Sequence, residues 1–252
     1  MNSYETFVQL HQQKSLLILA NSWDVYSARL AEKNGYKAIA TSSLAIAVAL
    51  GYEDGENIPF SELLYMVKRI VSGVSIPVTV DLEAGYSDTI EGIISNIDQL
   101  IDAGVVGINF EDAKKRELVS VDSFCEKLKG IRNHLNKSKR NLFINARTDG
   151  YLLKVPSPQS VTIERIRKYE TAGASGIFVP FVSDIDAIKE ITSAVSLPVN
   201  ILSMPGLPSF SDLAKVGVHR VSLGSTLFRA TYRNAEKLMQ EVNEKQNVAA
   251  LF

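Results

Sequence analysis

The sequence is poor in cysteine. Its 252 residues include one, Cys125, so an internal disulfide bond is excluded. No Cys-x-x-Cys pair and no cluster of cysteine with histidine is present, which leaves no sequence signal for a cysteine-ligated zinc site. Cys125 lies in the helical pattern SFCEKL, and we expect it to be an inert core side chain.

Excess charge and long apolar runs are also lacking. The formal net charge is −1, and no large basic patch is present, so we expect no nucleic-acid partner. No run of about 18 apolar residues occurs, so we expect no membrane partner. The opening residues, MNSYETFVQLHQQ, lack the basic and apolar regions of a signal peptide. A cytoplasmic location fits these absences.

Short apolar, β-branched runs are present instead, separated by segments with helical spacing. We predict eight strands, at residues 16–21, 38–43, 77–83, 107–112, 142–149, 176–180, 198–203 and 220–225. Ser61 and Ser183 are predicted to cap two of the helices.

A glycine lies between helix and strand in NGYKAIA, AGVVGINF, AGASGIFV and VGVHRVSL. Glycine readily adopts the left-handed conformation that ends a helix and turns the chain back. Alternating strands and helices form parallel units, and eight such units close into a barrel. We therefore predict a single (β/α)8 (TIM) barrel domain spanning residues 1–252. An open doubly wound sheet is the alternative, but it usually carries GxGxxG after the first strand, where this chain has ANSWDVYSA.

Polar side chains cluster at the downstream ends of the predicted strands, where barrel enzymes build their active sites. Residues two apart on a strand face the same side. The same-face pairs are Asp81 with Glu83, Asn109 with Glu111, and Asn145 with Arg147. The intervening residues, which we expect to face the helices, are Leu82, Phe110 and Ala146.

Asp81, Glu83 and Glu111 would repel one another in one mouth unless a cation is bound or their pKa values are raised. Oxygen ligands favour Mg2+, with Mn2+ possible. The three histidines lie away from the strand ends that form the mouth, which argues against a His-ligated zinc or a Ser-His-Asp triad. The alternative is that these carboxylates form structural ion pairs around Arg147.

Further candidates lie nearby. Trp23 could line the pocket, and its neighbour Asp24 could do so too or cap a helix. Ser42 and Ser43 could donate to an anionic substrate, or form a plain loop.

Asp54 lies in the turn-like GYEDGEN. The strand residues that we assign to substrate binding are Asn145 and Asn200.

Several phrases in chain order resemble the isocitrate lyase/phosphoenolpyruvate mutase superfamily: ANSWDVYSARLAEKNGYKAIATSSLAIAVALGYEDG, VDLEAGYSD, GINFEDA, NARTD and PVNILSMPGLPSFSDLAKVGVHRVSLGS. The resemblance covers nearly the whole chain. It implies a barrel whose last helix is exchanged between subunits of a homodimer or homotetramer. It implies Mg2+ held near Asp81, Glu83 and Glu111, partly through water. It also implies that Arg147 and the Ser42-Ser43 loop grip an anionic group, and that Asp54 lines the site.

The chain departs from the family pattern in three places. Superfamily lyases acting on isocitrate-like substrates carry a KKCGH-type lid with a catalytic cysteine, whereas this chain has AKKRELVSVD, which puts isocitrate or methylisocitrate cleavage in doubt. The usual Asp-x-Asp metal pair is Asp81-x-Glu83 here. The family often places Glu or His after the sixth strand, where this chain has Val179-Pro180-Phe181.

These features favour a Mg2+-dependent enzyme that cleaves or rearranges a P–C or C–C bond of a small anionic keto-acid or phosphonate substrate. The intermediate would resemble pyruvate enolate, as the likeness to phosphonomutases implies. Oxaloacetate decarboxylation is the nearest alternative. A barrel that only binds a metabolite is the alternative of another class, favoured by the altered metal pair and the apolar end of the sixth strand. The amphipathic C-terminal segment, ending AALF, suggests a subunit partner.

Overall fold

A closed barrel of eight parallel strands forms the centre of the computed structural model, which describes residues 2–13 and 15–252. The barrel strands are β1 (Leu17–Ser22), β2 (Ile39–Thr41), β3 (Val78–Asp81), β4 (Gly107–Glu111), β7 (Phe143–Arg147), β8 (Gly176–Val179), β9 (Val199–Leu202) and β10 (Val218–Ser222). Around the barrel they follow the order β1-β10-β9-β8-β7-β4-β3-β2. A small antiparallel hairpin, β5 (Ala113–Lys114) and β6 (Glu117–Leu118), follows β4.

Helices alternate with these strands. They are α1 (Ser3–Gln12), α2 (Val25–Lys33), α3 (Ser43–Ala49), α4 (Phe60–Ser72), α5 (Ile90–Asp102), α6 (Val121–Ser138), α7 (Pro158–Thr171), α8 (Ile185–Ser193), α9 (Phe210–Lys215), α10 (Thr226–Lys245) and a short 3-10 helix, Ala249–Leu251. Within the described part of the chain, every helix is too short or too polar to cross a lipid bilayer.

The predicted (β/α)8 barrel is confirmed, and the open-sheet alternative is wrong. Each predicted run overlaps one barrel strand. The predicted runs 38–43 and 142–149 extend beyond their strands, because Ser43 already starts α3 and Thr148 follows the end of β7. The run 77–83 also extends too far: Glu83 lies two residues beyond β3 with a left-handed backbone, so strand alternation does not determine where its side chain points. The exchange of the last helix between subunits remains a prediction.

Both predicted serine caps are wrong. Helix α4 begins at Phe60 after Pro59, so Ser61 lies inside the helix. Helix α8 is capped by Asp184, whose side chain accepts a hydrogen bond of 2.8 Å from the Ala187 backbone N–H. Aspartate is as good a cap as serine, so Asp184 took the position next to Ser183. Pro59 precedes α4 without a side-chain capping hydrogen bond.

The glycines between helix and strand adopt the backbone conformation predicted for them. Gly35, Gly104, Gly173 and Gly217 all have φ between 84° and 103°. This left-handed conformation is costly for residues with a Cβ, so it explains why glycine recurs there.

Helix α1 closes the bottom of the barrel, at the N-terminal ends of the strands. Phe7 and His11 are buried, and both rings contact Phe143, with centroid distances of 5.5 Å and 4.3 Å. Leu17 and Ala38 belong to the same small apolar cluster. The large core lies outside the barrel wall, between strands and helices, and it contains Leu82, Phe110 and Ala146 as their parity predicted. The middle and the top of the barrel interior contain polar side chains.

Candidate active site

Asp81, the last residue of β3, is held from two sides at the top of the barrel. One carboxylate oxygen accepts a hydrogen bond of 2.8 Å from the Ser43 hydroxyl. The other accepts from the Asn109 side-chain amide at 3.4 Å. The Asp81 backbone N–H donates to the Thr41 hydroxyl at 3.0 Å. Residues from β2, α3 and β4 therefore converge on this carboxylate.

Glu83 lies two residues further on and is 6% exposed. Its backbone has φ of 50°, a strained value for a residue with a long side chain. The Tyr86 hydroxyl donates to its carboxylate at 2.8 Å. Burial raises the pKa of Glu83 to about 8, and the negative charge of Asp81 adds to the effect. Two carboxylates in this position create a demand for positive charge.

Arg147, the last residue of β7, is clamped by two acidic side chains. Asp149 accepts from Nε at 2.7 Å and from Nη2 at 2.8 Å, and Glu111 accepts from Nη1 at 2.8 Å. Burial opposes the guanidinium charge, but Glu111 and Asp149 raise the pKa of Arg147 above its usual value, so it stays charged. Burial raises the pKa of Glu111 well above its usual range although Arg147 opposes this shift.

The Arg147 and Glu111 side chains still reach solvent, with 16% and 14% of their surfaces exposed. The ring of Phe178, on β8, lies 5.8 Å from the guanidinium carbon of Arg147. The mouth is thus acidic on the side of β3, β4 and β7 and has an aromatic wall at β8.

A fully buried carboxylate, Asp112, anchors this part of the site from behind. Its oxygens accept from Arg165 at 2.9 Å, from the Tyr169 hydroxyl at 2.5 Å and from the Asp149 backbone N–H at 3.1 Å. Helix α7 supplies Arg165 and Tyr169. The segment that carries Asp149, and through it Arg147, is therefore tied to the helix layer.

Ser42 and Ser43 form the start of α3, so the plain-loop alternative is wrong, while donation to a substrate remains a prediction. Ser42 caps α3 by accepting from the Ala45 backbone N–H at 3.3 Å, and Ser43 donates to Asp81 as described.

Asp54 lies on the exposed loop between α3 and α4. The surrounding protein raises the pKa of Asp54, and the charge of Asp81 adds to this shift, so the two carboxylates share one electrostatic environment.

Asn145 and Asn200 lie below the mouth, each 1% exposed. The Asn145 amide donates to the Asn109 side-chain oxygen at 2.9 Å. The Asn200 side-chain oxygen accepts from the Ser222 hydroxyl at 3.1 Å. Both therefore belong to a polar layer inside the barrel. Their predicted contact with substrate remains a prediction.

Trp23 packs under the C-terminal helix. It is 7% exposed, and its ring contacts Phe228 at a centroid distance of 5.2 Å and Tyr232 at 6.5 Å. Asp24 caps α2 by accepting from the Ser27 backbone N–H at 2.6 Å. The capping interpretation of Asp24 is confirmed, while a pocket role for Trp23 remains a prediction.

The hairpin β5–β6 follows β4 directly and lies in the segment AKKRELVSVD. Lys114 forms an ion pair with Asp88, which lies between β3 and α5. Lys115 and Arg116 make the turn with left-handed backbone angles. The hairpin is thus connected to the loop that follows Glu83.

Several site residues were missed from the sequence. Asp149 has the same parity as Asn145 and Arg147 in NARTD, a signal that could have paired it with Arg147. Arg220 is a charged residue inside an apolar strand pattern, and it is 1% exposed in the barrel interior. Tyr86 lies three residues after Glu83 in VDLEAGYSD, and that nearness could have paired the two. The pair Arg165–Tyr169 gave no local signal, because it reaches the site from α7.

The donor set fits a hard divalent cation. Among residues 2–13 and 15–252, no three His, Cys, Asp or Glu side chains are gathered as a ready metal cluster. Glu111 is paired with Arg147, and Glu83 accepts a hydrogen bond from Tyr86. Mg2+ needs only one or two direct carboxylates and keeps water in its other positions. Asp81, flanked by Glu83 and Glu111, meets this requirement with oxygen ligands alone. The pKa values of Glu83 and Glu111 are raised because burial and neighbouring carboxylates disfavour their negative charge, and a bound cation would offset this effect.

A (β/α)8 barrel with carboxylates and an arginine at the carboxyl ends of neighbouring strands has the architecture of a barrel enzyme. Residues 7–243 match the family model for phosphoenolpyruvate phosphomutase. The chain therefore belongs to the phosphoenolpyruvate mutase family, within the isocitrate lyase/phosphoenolpyruvate mutase superfamily of lyases and mutases.

Individual relatives agree with this membership. An uncharacterised protein of Mycobacterium tuberculosis is 33% identical, with 96% of this chain and 91% of that protein covered. Oxaloacetate decarboxylase of Pseudomonas fluorescens is 26% identical, with 97% of this chain and 88% of the enzyme covered.

Solved structures are similar over the same length. A Burkholderia cenocepacia protein described as a phosphonomutase is 34% identical, with a TM-score of 0.90 and coverage of 94% of this chain and 99% of that one. A phosphonopyruvate hydrolase in complex with oxalate and Mg2+ has a TM-score of 0.87, with coverage of 99% and 89%, and at 21% identity it supports the fold alone.

Proposed function

We propose that this protein is a Mg2+-dependent enzyme that cleaves or rearranges the P–C bond of a small phosphonate keto acid, in the manner of phosphonomutases. The observation that supports this most is the position of Asp81, which Ser43 and Asn109 hold at the end of β3, near the Glu111–Arg147 pair at the ends of β4 and β7. Glu83 lies on the loop directly after β3. The substrate would carry at least one anionic group beside its keto oxygen, because the site pairs acidic side chains with one strong cation.

Asp81, Glu83 and Glu111 would hold the Mg2+. When bound, the ion supplies a Lewis acid that stabilises negative charge developing on the keto oxygen. The Ser43 hydroxyl and the Asn109 amide hold Asp81 in one orientation. The carboxylate therefore needs little reorganisation during the reaction.

Arg147 would bind the anionic group of the substrate. Asp149 and Glu111 occupy one N–H on each of its nitrogens, and the remaining N–H groups of Nη1 and Nη2 can donate to an anionic oxygen. The Ser42-Ser43 loop, on the other side of Asp81, would contribute further donors. Asp54 would face the substrate from the exposed rim.

Oxaloacetate decarboxylation is a second candidate, favoured by the likeness to the Pseudomonas fluorescens enzyme over nearly the whole chain. Both reactions pass through a pyruvate-enolate-like state. Neither needs a lid cysteine to protonate a carbanion, and the hairpin region AKKRELVSVD has no cysteine or histidine. Isocitrate-type cleavage is therefore not proposed.

Activity assays would test these proposals. Purified protein with Mg2+ should interconvert phosphonopyruvate and phosphoenolpyruvate, or hydrolyse phosphonopyruvate, as followed by 31P NMR. Oxaloacetate should be offered in parallel, with CO2 release as the measurement. Turnover of oxaloacetate alone would select the second candidate, and turnover of neither substrate would refute both.

Variants connect the activity to the site. Asp81→Ala and Arg147→Ala should abolish turnover while the protein stays folded. Arg140→Ala is the matched control, because Arg140 pairs with Asp98 and Asp102 on the outer helices. A metal titration separates the enzyme from a barrel that only binds a metabolite. Absence of Mg2+ or Mn2+ binding at millimolar concentration would favour the non-catalytic alternative.

A further inference from the structure

Arg220 is a buried cation inside the barrel that forms no ion pair with a carboxylate of the described residues. It lies on β10 and is 1% exposed. Its Nε donates to the Ser222 hydroxyl at 3.3 Å and its Nη2 donates to the Asn109 side-chain oxygen at 3.2 Å, while Nη1 has no partner among the described residues. Burial lowers the pKa of Arg220 to about 9.

Such an arrangement costs folding free energy. An ion removed from water recovers its lost hydration only if it is well paired, and Arg220 has only neutral partners. An apolar side chain of similar volume would fill the same space without this cost. The position of the charge therefore needs an explanation other than packing.

The Asn109 side chain connects Arg220 to the site. Its oxygen accepts two hydrogen bonds, one from Arg220 at 3.2 Å and one from Asn145 at 2.9 Å. A carbonyl oxygen has two lone pairs, and a guanidinium can only donate. The oxygen end of Asn109 must therefore face Arg220, and the amide NH2 must face the opposite way. There it donates to Asp81 at 3.4 Å.

We propose that Arg220 is a positioning residue that acts through Asn109 to fix the carboxylate of Asp81 at the mouth of the barrel. The inference rests on the proposed function insofar as Asp81 is taken to hold the metal ion. Arg220 touches no substrate; it sets which end of Asn109 meets Asp81. Ser43 holds the other oxygen of Asp81, so the two contacts together determine how the carboxylate is turned.

Arg220→Met is the informative substitution, since methionine is apolar and fills much of the same space. In a crystal structure of this variant, the Asn109 amide should withdraw from Asp81. The dissociation constant for Mn2+, measured by calorimetry, should rise about 10-fold, the low end of the usual effect of losing a residue behind a metal ligand. The free energy of unfolding should be unchanged or higher. Arg220→Lys keeps a donor and should recover most of the Mn2+ affinity.

Two further variants provide a control and a second test of the proposal. Arg132→Met is the matched control, because Arg132 is a half-buried arginine that donates to the Gly173 carbonyl and the Ser175 hydroxyl, away from the mouth. It should leave Mn2+ binding unchanged. Asn109→Leu removes the connection while keeping Arg220, and it should weaken Mn2+ binding as Arg220→Met does. It also serves as the test if Arg220→Met fails to fold.

The outcomes separate this inference from the proposed function. Unchanged Mn2+ affinity in Arg220→Met or in Asn109→Leu, with the wild type binding Mn2+, would overturn the inference and leave the metal site standing. A wild type that binds no Mn2+ would refute the metal site. In that case, loss of the Asn109–Asp81 contact in Arg220→Met would still support the positioning role, and its persistence would overturn that role too.

Discussion

Asp149 grips Arg147 with both carboxylate oxygens, at 2.7 Å and 2.8 Å, from a position two residues along the same chain. The pair is bidentate, a geometry that fixes the plane of the guanidinium as well as its place. Glu111 then takes the remaining nitrogen from the neighbouring strand. The orientation of the proposed anion-binding group is thus set by Asp149, just beyond the end of β7, and by Glu111 on β4.

Asp149→Asn should lower the activity while the protein keeps its fold. The amide keeps the size of the side chain but loses the charge and one acceptor, so Arg147 can turn away from its position. We expect kcat/KM to fall by about 100-fold, since a misplacement of about 1 Å can have an effect of that size. Asp102→Asn, which changes an exposed partner of Arg140, is the control and should keep full activity. Wild-type kcat/KM in Asp149→Asn would contradict the orienting role.

Asp112 should be a stability residue. It is fully buried and accepts from Arg165, Tyr169 and the Asp149 backbone. Asp112→Ala leaves these donors unpaired, so the free energy of unfolding should fall by about 3–5 kcal/mol. Urea unfolding followed by circular dichroism would measure it.

A double substitution tests the cause of that loss. Adding Arg165→Met to Asp112→Ala removes the unpaired charge and should recover part of the lost stability. Strictly additive losses in the two single variants and the double variant would show that the two residues do not act as a buried pair.

His11 should make the protein sensitive to acid. Burial, with smaller contributions from Arg220 and His219, lowers the pKa of His11 to about 3. The folded state keeps His11 neutral, whereas the unfolded state binds a proton below about pH 6.5. The contribution of His11 to stability is therefore complete above pH 6.5 and is lost as the pH falls toward 3, by up to about 1.4 kcal/mol per pH unit.

His11→Phe removes that contribution. Phenylalanine keeps an aromatic ring against Phe143, though it loses the hydrogen bond of 2.8 Å between His11 and the Phe7 carbonyl. Between pH 7 and 4.5, the unfolding free energy of the variant should fall less steeply than that of the wild type. Parallel curves over this range would contradict a buried, neutral His11.

The C-terminal helix should form a subunit contact. Helix α10 and the residues after it expose apolar side chains, including Tyr232 and Met239 at 51% and 71%, with Val248, Leu251 and Phe252 close behind in the sequence. We expect a dimer or tetramer of the 27.7 kDa chain in sedimentation analysis. Met239→Asp should shift the protein toward the monomer, while Lys215→Asp on α9 should not. A monomeric wild type would refute the predicted homo-oligomer.

Local patterns were sufficient for the barrel and for the faces of its strands. The strand period of two placed Leu82, Phe110 and Ala146 in the helix-facing core, and it put Asp81, Glu111 and Arg147 at the opposite face, because backbone pleating alone determines this alternation. The residues that cap the helices were harder to predict from the sequence. Asp184 competes with Ser183 on nearly equal terms, and α4 starts after Pro59 without a side-chain cap, so cap propensity identified neither helix start.

Partners from distant parts of the chain could not be inferred this way. Whether Glu111 faces a metal or Arg147, and whether Asn109 faces Asp81 by its amide or its oxygen, depends on distances of about 3 Å between side chains on different strands. Trp23 shows the same limit, since its burial against Phe228 requires the chain to return after more than 200 residues. Alternation and spacing are properties of neighbouring residues, and they predicted the scaffold and the acidic mouth. The pairing of charges arises when the barrel closes, because closure alone brings Asp81, Asn109, Asn145 and Arg220 into one chain of hydrogen bonds.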